Sequence, residues 1–259
     1  MKILARDSPY MIPVQKGIVG IFDILGYENF LENNAVGEAL GIVLDKFHEM
    51  PQSARSSVEK LGKEFRWNDI LDNTKSIVMS DTIFMSSAYG SPPEGRRWQI
   101  WLVFLLQAAA LQRKMFEFGL PIRGAISFGD YILKDSSFAG RPIIDAYRMG
   151  SQIEAAAIAL TDEAAKEMES ATADEGIPAC FPVVEYLVPL KGCSPRRLHT
   201  LNFMLVGGTQ SLKGDARQLV CECFWKHRKD IPPGAYDKLA NTEMLLRFLQ
   251  ALWVKMYGP

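Results

Sequence analysis

The sequence carries almost no excess of charge. Among its 259 residues, 29 Lys and Arg stand against 30 Asp and Glu, so the formal net charge is -1. A protein that binds nucleic acid or an anionic membrane through a general electrostatic field needs a basic excess, which this chain lacks. We therefore expect neither partner, and any phosphate must be held by a few local groups.

Cysteine and histidine are also scarce. The chain has four cysteines, and the one close pair, Cys221 and Cys223 in VCECFW, does not have the spacing of a zinc site. We expect reduced, mostly buried thiols of a cytosolic protein. The three histidines are scattered along the chain, and we assign no catalytic or metal-binding role to them: His48, His199 and His227.

A long apolar run is absent as well. The most apolar stretch, WQIWLVFLLQAAALQ, is followed by Arg113 and Lys114, and it falls short of the roughly 20 apolar residues that a bilayer span needs. We interpret it as a core helix. The segment 1–17 has no apolar centre of the kind that a signal peptide requires. The expected location is therefore the cytoplasm, without a membrane partner.

What the sequence does contain is a series of short apolar strands and helical patterns. Residues 17–23 predict a strand with a tight turn and a helix behind it, and two short strands meet in a hairpin at Ser80-Asp81. A core helix from about Trp98 to Phe118 ends at Gly119. A strand with two glycines follows, and another helix begins after Gly140. The later patterns predict a helix at TDEAAKEME, strands near VVEYLVPL and RLHTLNFML, and two carboxy-terminal helices.

This order of elements predicts one domain of the α+β class. We expect a ferredoxin-like α/β sandwich, in which helices flank a central, mostly antiparallel sheet. With 48% hydrophobic residues, the chain can bury a full core. The core of the domain is expected at about residues 15–165, with an α/β extension at about 166–259. No repeat, low-complexity tract or clear linker divides the sequence.

Two aspartates stand where predicted strands end. Asp23 closes an apolar strand, where a buried carboxylate is costly unless it is paired or binds a metal. Asp81 lies in the predicted hairpin. If both side chains project from adjacent strand ends at one edge of the sheet, they form a site for hard divalent cations, which are usually shared with substrate phosphates. Taken alone, each aspartate has a simpler explanation, a helix cap for Asp23 and an ordinary turn residue for Asp81.

The turn after Asp23 adds a second feature. It opens a helix, and the first amides of a helix are unsatisfied and lie at the positive end of its dipole, so they favour a polyphosphate. We therefore predict a nucleoside triphosphate seated on two ions, Mg²⁺ or Mn²⁺. The predicted substrate-binding residues of this turn are Ile24, Leu25, Gly26 and Tyr27.

Four segments resemble motifs of the class III nucleotidyl cyclases. IFDILGY resembles the family's first metal-binding strand, and SDTIFMS resembles the hairpin that bears its second metal aspartate. LPIRGAISFGDYI is similar to a family strand with an arginine, a glycine, an isoleucine and a later glycine. FAGRPIIDAYRMGSQIEAA resembles the helix that carries a transition-state arginine. The segments occur in the family's order between residue 17 and about residue 160.

This resemblance implies a reaction and a set of roles. Asp23 and Asp81 would hold two metal ions, with the carbonyl of Ile24 as an additional ligand. Arg148 would stabilise charge on the phosphoryl group across the interface of a homodimer, so that each site needs two chains. The ribose 3′-hydroxyl would displace pyrophosphate from the α-phosphate. Arg123 is expected either to reach the phosphates or to form a structural ion pair.

The departures from the family pattern concern recognition of the base. The asparagine that usually stands four residues before Arg148 is replaced by Ile144, while Asp145 lies three residues before it and joins the candidate substrate-binding residues. An ion pair between Asp145 and Arg148 on the surface is the alternative for that arginine. Ser80 replaces a usual glycine, and Ile77 stands where a purine-reading lysine is usual. These departures disfavour a purine substrate.

The segment GRPIIDAYRMGSQIEAAA, in a stand-alone domain with an extended carboxy-terminal part, is similar to the pyrimidine cyclases of the bacterial antiphage systems called Pycsar. The similarity implies synthesis of cyclic UMP, which we favour, or cyclic CMP during phage infection. A separate effector would read the cyclic nucleotide, with no stable complex implied. The alternatives are an adenylate or guanylate cyclase of the same fold and an inactive cyclase-like nucleotide sensor, which would not need both aspartates.

Two other classes fit the sequence less well. A diguanylate cyclase of related fold would carry a Gly-Gly-Asp/Glu-Glu-Phe hairpin, and VMSDTIF stands in its place. An RNA-binding ferredoxin-like module would need a basic face and exposed aromatic residues on its sheet, and the sequence indicates neither.

Overall fold

The computed structural model describes residues 13–61, 67–90, 96–173, 182–206, 212, 214–228 and 235–258. The strands within these ranges are β1 (Gln15–Ile24), β2 (Thr74–Met79), β3 (Thr82–Ala88), β4 (Ile122–Lys134), β5 (Ser137–Gly140), β6 (Ile158–Leu160), β7 (Val183–Leu190) and β8 (Cys193–Leu201). They form one sheet in the order β2-β3-β1-β4-β6-β8-β7, and β5 pairs with β4. All pairings are antiparallel except that of β4 with β6.

Helices flank this sheet. The α-helices are α1 (Tyr27–Glu32), α2 (Val36–Ile42), α3 (Met50–Leu61), α4 (Asn68–Asn73), α5 (Arg97–Phe118), α6 (Arg141–Gln152), α7 (Asp162–Ala173), α8 (Ala216–Trp225) and α9 (Tyr236–Tyr257). A π-helical turn covers Val43–Phe47, and 3-10 turns cover Phe203–Leu205 and Lys226–Arg228. The predicted α+β fold, a mostly antiparallel sheet with flanking helices, is confirmed.

Strand β1 lies in the middle of the sheet and is buried on both faces, which explains its nearly continuous apolar sequence. Ile18 and Phe22 belong to the large core cluster that also contains the apolar residues of α5. Val19 and Ile21 belong to a smaller cluster with Ala146 of α6. Because side chains alternate between the faces of a strand, Asp23 follows Val19 and Ile21 on the face that α6 covers.

The predicted core helix is confirmed as α5. It is buried around most of its circumference, which is the reason that its sequence is apolar without a clear stripe. Gly119 ends it in the left-handed conformation, with a φ of 92°, and its N–H donates to the carbonyls of Met115 and Phe116. Glycine adopts this conformation without the steric cost that a Cβ brings.

The sequence predicts a helix behind the turn that follows β1, but the structure has two short helices there in place of one. The chain breaks between α1 and α2, and α2 then continues into the π-helical turn. The break shifts the phase of the helix, so part of its apolar sequence points to solvent. Phe30 and Phe47 are buried, whereas three other apolar residues of this region are exposed by 43%, 49% and 57%: Leu31, Leu40 and Leu44.

Three short elements were not predicted: α4, β5 and β6. Strand β6 has three residues and β5 has four, which is too short for a readable period. The expectation of mostly buried thiols is wrong for the cysteines that the structure describes, because Cys223 is buried but Cys193 is exposed and Cys221 is partly exposed. Cys180 lies outside the described residues. No helix in the described ranges is both long and apolar enough to cross a bilayer.

Candidate active site

Asp23 sits at the end of β1 between two neighbouring strands. It lies opposite Thr82 of β3 and opposite Arg123 of β4 in the sheet register. Directly opposite residues share a face of the sheet, so the carboxylate of Asp23 and the guanidinium of Arg123 project on the same side. The side chain of Asp23 is partly exposed, by 31%. A ligand can therefore reach it from solvent.

Asp81 belongs to the two-residue turn that joins β2 to β3. Its carbonyl accepts a hydrogen bond from the N–H of Ile24 at 3.1 Å, which fastens the hairpin to the end of β1. Ser80 precedes it with a φ of 53°, in the left-handed region that favours glycine. The motif that this segment resembles has a glycine at this position. Ser80 thus adopts the left-handed conformation that glycine would adopt more easily.

The charge of Asp81 acts on the carboxylate of Asp23. Burial is the largest cause that raises the pKa of Asp23 above its ordinary value, the charge and hydrogen bond of Arg123 oppose that rise, and the charge of Asp81 adds to it. The ionised form of Asp23 is therefore disfavoured in the protein alone, although a guanidinium lies beside it. Two carboxylates that repel each other at a partly open strand end make a place where a cation is favoured.

Arg123 connects this strand end to a distant part of the chain. Its Nε lies 3.2 Å from Oδ2 of Asp23, and its Nη1 donates to the carbonyl of Ile153 at 2.9 Å. The same Nη1 is 4.0 Å from Oε1 of Glu154. Of the two predicted roles of Arg123, the structural ion pair is the one that this geometry contains. A contact with phosphate stays a prediction.

The turn after β1 offers fewer amides than the sequence suggested. The N–H of Ile24 donates to Asp81, and the N–H of Leu25 donates to the carbonyl of Pro121 at 2.8 Å. Gly26 adopts a φ of 77°, and Tyr27 stacks on Phe30 with ring centroids 6.0 Å apart. The amides of Gly26 and Tyr27 donate to no acceptor within the described ranges, so they are the ones that could meet a phosphate.

The donor set at the strand end fits a hard divalent cation. Asp23, Asp81 and the carbonyl of Ile24 supply only oxygen, which Mg²⁺ and Mn²⁺ prefer. No group of three or more His, Cys, Asp or Glu side chains with metal-site geometry occurs among the residues that the structure describes. A site of this kind needs further ligands from water or substrate phosphates, as Mg²⁺ sites commonly do.

Arg148 lies elsewhere, on the exposed side of α6. The alternative, a surface pair of Arg148 with Asp145, is not formed among the described residues. Both oxygens of Asp145 accept from Nε of Arg141 instead, at 2.9 and 2.8 Å. Arg148 lines a cavity of about 270 Å³ that also includes Thr161 and Arg196. Within the described part of the chain, Arg148 forms no ion pair, so its guanidinium is available to an anionic ligand.

The structure therefore brings Asp23, Asp81 and Arg123 together but does not bring Arg148 to them. No hydrogen bond or ion pair between described residues joins Arg148 to any of the three. The cavity of Arg148 lies beside β6, where the N–H of Thr161 donates to the carbonyl of Ile126, three residues beyond Arg123 on β4. One chain therefore carries two separate candidate half-sites, the strand end with Asp23 and Asp81 and the cavity of Arg148.

Sequence reasoning missed several residues that border these half-sites. Ile153 and Glu154 contact Arg123 only because the end of α6 returns to β4. Arg196 enters the cavity from β8, about 50 residues beyond Arg148 in the sequence, where it lies 3.3 Å from Asp162. Ile153 and Glu154 fall within the segment that resembles the arginine-bearing helix, but no role was predicted for them, and Arg196 lies outside all four segments. Long-range contacts of this kind leave no local pattern.

Comparison with known proteins gives distant likenesses only. No protein-family model matches the chain, and no curated protein matches it in sequence. Among solved structures, the chain is similar to the guanylate cyclase domain of RhGC from Catenaria anguillulae in complex with GTP, at 14% identity and a TM-score of 0.49, covering 73% of this chain and 97% of that one. The adenylyl cyclase CyaB from P. aeruginosa gives 15% identity and a TM-score of 0.44, covering 78% and 98%. A class III adenylyl cyclase-like ATP-binding protein from Pseudomonas aeruginosa gives 14% and 0.44, covering 69% and 41%.

Proposed function

We propose that the protein is a nucleotidyl cyclase of the class III type that converts a pyrimidine nucleoside triphosphate, UTP in preference to CTP, to the 3′,5′-cyclic monophosphate and pyrophosphate. One observation carries the proposal. Asp23 and Asp81, 58 positions apart in the sequence, meet at one strand end closely enough for the charge of Asp81 to raise the pKa of Asp23. A fold that keeps two repelling carboxylates together at a partly open position gains from them only when a cation binds.

The residues of the chain have distinct tasks in this proposal. The carboxylates of Asp23 and Asp81 and the carbonyl of Ile24 bind the cations, and the amides of Gly26 and Tyr27 hold the terminal phosphates. Two Mg²⁺ or Mn²⁺ ions bound there would make the ribose 3′-hydroxyl more acidic and neutralise the triphosphate. A bond forms between O3′ and the α-phosphorus, the bond to the bridging oxygen breaks, pyrophosphate leaves with the electron pair, and the 3′-hydroxyl proton passes to solvent.

Arg148 is proposed to act in a neighbouring subunit of a homodimer. In the cavity that it lines, Arg141 faces Asp145 and Arg196 faces Asp162, so these two guanidiniums are already neutralised. Arg148 is left to bind charge that develops on the α-phosphate. Because the described part of one chain holds the two half-sites apart, a second copy is needed to bring Arg148 to the Asp23–Asp81 pair. Exposed apolar side chains beside Arg148 on α6, such as Ile144 and Tyr147, are suited to such a contact.

The choice of base and the biological role rest on the sequence resemblance. Ile77 lies on the edge strand β2, which leads into the hairpin of Asp81, and Ile144 lies on α6. Apolar residues at these positions cannot donate to the acceptors of a purine ring. Asp145 is held by Arg141 and remains a predicted substrate contact. The cyclic pyrimidine nucleotide would serve as a second messenger in antiphage defence, read by a separate effector.

A second candidate is a nucleotide-binding sensor that does not turn its ligand over. The ion pair between Arg123 and Asp23 favours it, because the guanidinium takes up one oxygen of a proposed metal ligand. An adenylate or guanylate cyclase of the same fold differs from the main proposal only in the base. Product analysis separates all three.

The test is turnover of each ribonucleoside triphosphate. The purified protein is incubated with ATP, GTP, UTP or CTP and Mg²⁺ or Mn²⁺, and the products are separated and identified by mass. We expect one cyclic pyrimidine monophosphate, and loss of about 10³-fold in kcat for Asp81→Asn, since removal of a metal ligand costs several kcal/mol of transition-state stabilisation. The matched control is Asp130→Asn on the exposed part of β4. A cyclic purine would refute the specificity, and nucleotide binding without any product would favour the sensor.

A further inference from the structure

We infer that Arg123 is a positioning residue, through which the carboxy-terminal part of the chain fixes the orientation of Asp23. The inference rests on the proposed function, because it concerns the carboxylate that is proposed to bind a cation. If Arg123 acts in this way, the extension beyond residue 165 has a role in the site. Neither the motifs nor the cyclase resemblance assigns such a role to the extension.

The guanidinium of Arg123 forms a bridge. Its Nε contacts Oδ2 of Asp23 at 3.2 Å, while Nη1 donates to the carbonyl of Ile153 at 2.9 Å. The side chain of Arg123 is only 16% exposed, so its position is set by the protein. A planar guanidinium with donors in a fixed fork can hold two partners at a fixed mutual distance. The contact with Arg123 engages Oδ2 of Asp23 and not Oδ1.

The far end of the bridge is the segment 153–156, which follows α6 and is held on several sides. Ile153, Ala155 and Ala156 are buried. The N–H of Glu154 donates to the carbonyl of Pro189 at the end of β7, at 3.0 Å. From the core side, Nε2 of Gln112 donates to the carbonyl of Ala156 at 2.9 Å.

Helix α9 supplies two further contacts to the same segment. Nδ2 of Asn241 donates to the carbonyl of Glu154 at 2.9 Å, and Oγ1 of the buried Thr242 accepts from the N–H of Ala156 at 2.9 Å. Both α9 and β7 lie in the carboxy-terminal extension. Contacts with the extension thus hold much of the segment 153–156 in place. Arg123, which is bound to the Ile153 carbonyl, in turn fixes the orientation of the Asp23 side chain.

A carboxylate that binds a cation needs this kind of support. Groups that hydrogen-bond to metal ligands set the orientation of those ligands, and their removal typically weakens metal binding by about 10- to 100-fold. If Arg123 served only to neutralise charge, a lysine could replace it. Lysine is a single charged point on a flexible stem and cannot contact Asp23 and the Ile153 carbonyl in one fixed geometry.

The test measures binding of Mn²⁺ itself, without turnover. The free Mn²⁺ signal in electron paramagnetic resonance is recorded while the full-length protein is titrated, and folding of each variant is checked by thermal unfolding. Arg123→Gln is expected to raise the Kd for Mn²⁺ by about 10- to 100-fold. Arg123→Lys is expected to raise it nearly as much, because the bridge is lost although the charge remains.

A matched pair on α9 tests the role of the extension. Asn241→Ala removes an amide that holds the segment 153–156 and is expected to raise the Kd for Mn²⁺ by about three- to tenfold. Gln250→Ala removes another amide of the same helix, which donates to the carbonyls of Leu212 and Gly214 instead, and should leave the Kd unchanged. Equal Kd values for these two folded variants would contradict the role of α9.

The outcomes separate this inference from the proposed function. Asp81→Asn should abolish Mn²⁺ binding, and a wild-type protein without measurable binding, or an Asp81→Asn variant that binds like wild type, would overturn both. If Asp81→Asn loses Mn²⁺ while Arg123→Lys binds like wild type, the metal site stands and the positioning role of Arg123 is refuted.

Discussion

Nε of Arg123 lies 3.2 Å from Oδ2 of Asp23, and yet the pKa of Asp23 is raised above its ordinary value of 3.8. Burial and the nearby charge of Asp81 together outweigh the guanidinium. The ion pair with Arg123 therefore does not fully offset the free-energy cost of ionising Asp23 at this strand end. Keeping Asp23 ionised costs free energy in this fold, and a bound cation would remove that cost. Perturbed pKa values of this kind are common at functional sites.

This cost predicts a pH-dependent effect of Asp23→Asn on stability. An acid whose pKa is higher in the folded protein than in the unfolded chain binds more protons when folded, so its ionisation lowers stability as the pH rises through the two values. Asn resembles the protonated form. In the presence of a chelator, we expect the variant to unfold at a higher temperature than wild type at pH 7, with the gain shrinking as the pH falls toward 3.8.

Thermal unfolding between pH 4 and pH 8 measures this effect, with the exposed Asp130→Asn as the control. The control should show no comparable trend, since its carboxylate lies on an exposed part of β4. A destabilisation by Asp23→Asn that is the same at both ends of the range would mean that the pair with Arg123 is a net stabilising contact.

Separate half-sites predict complementation between inactive variants. Asp81→Asn and Arg148→Ala are each expected to lose nearly all activity, but a mixed dimer of the two keeps one intact site. After equal amounts are mixed and allowed to exchange subunits, about a quarter of the wild-type activity should return, because half of the dimers are mixed and each has one of two sites. Mixing Asp23→Asn with Asp81→Asn should restore nothing, since both lesions lie in the same half-site. Equal recovery in both mixtures, or none in either, would refute a site shared between subunits.

Ser80 predicts an effect of the hairpin on both stability and activity. Its φ of 53° is costly for a residue with a Cβ and most costly for a β-branched one. Ser80→Val should lower the free energy of unfolding by about 1–2 kcal/mol and reduce activity by displacing Asp81. Ser80→Gly should retain both. Urea unfolding at constant m-value measures the stabilities, and a Val variant as stable as the Gly variant would contradict the strained turn.

Helix α6 packs closely on β4 at the point where Gly150 of the helix meets Gly124 of the strand. A Cβ on Gly150 would lie 2.9 Å from Cα of Gly124 and 3.1 Å from the amide nitrogen of Ala125, both of them backbone atoms. Gly150→Ala therefore forces the helix away from the sheet, with an expected loss of about 1–3 kcal/mol in the free energy of unfolding. Activity should fall as well, because α6 carries Arg148.

The control for this prediction lies in α2, where a Cβ on Gly37 would meet no atom within 4 Å. Gly37→Ala should leave activity unchanged and stabilise the protein by up to about 1 kcal/mol, since alanine favours a helix. Chemical unfolding of both variants measures the difference, and a Gly150→Ala variant as stable as Gly37→Ala would show that the two glycines do not set the packing of α6.

Local patterns were enough to predict the elements that carry the acidic pair. The continuous apolar run of β1 and the turn at Ser80-Asp81 are short-range signals, so both strands and the hairpin could be predicted from the residues themselves. The phase of the helices after β1 could not be predicted in this way, because the break before Val36 places Leu40 and Leu44 at the surface.

The support of the acidic pair was also beyond sequence reasoning. Arg123 was placed in the site, but its partner at Ile153 depends on the path of the chain after α6, 30 residues later. The contacts of Asn241 and Thr242 with the segment 153–156 join residues more than 80 positions apart. Such contacts are set by the packing of whole elements, for which a single sequence has no periodic signal.

We propose above all that Asp23 and Asp81 jointly bind divalent cations beneath a triphosphate. Crystals grown with Mn²⁺ and 3′-deoxy-UTP, which lacks the attacking hydroxyl, would test it by anomalous scattering from manganese. We expect anomalous peaks within about 2.5 Å of carboxylate oxygens of both aspartates and of the triphosphate oxygens. A bound triphosphate with no manganese at Asp23 and Asp81 would contradict it.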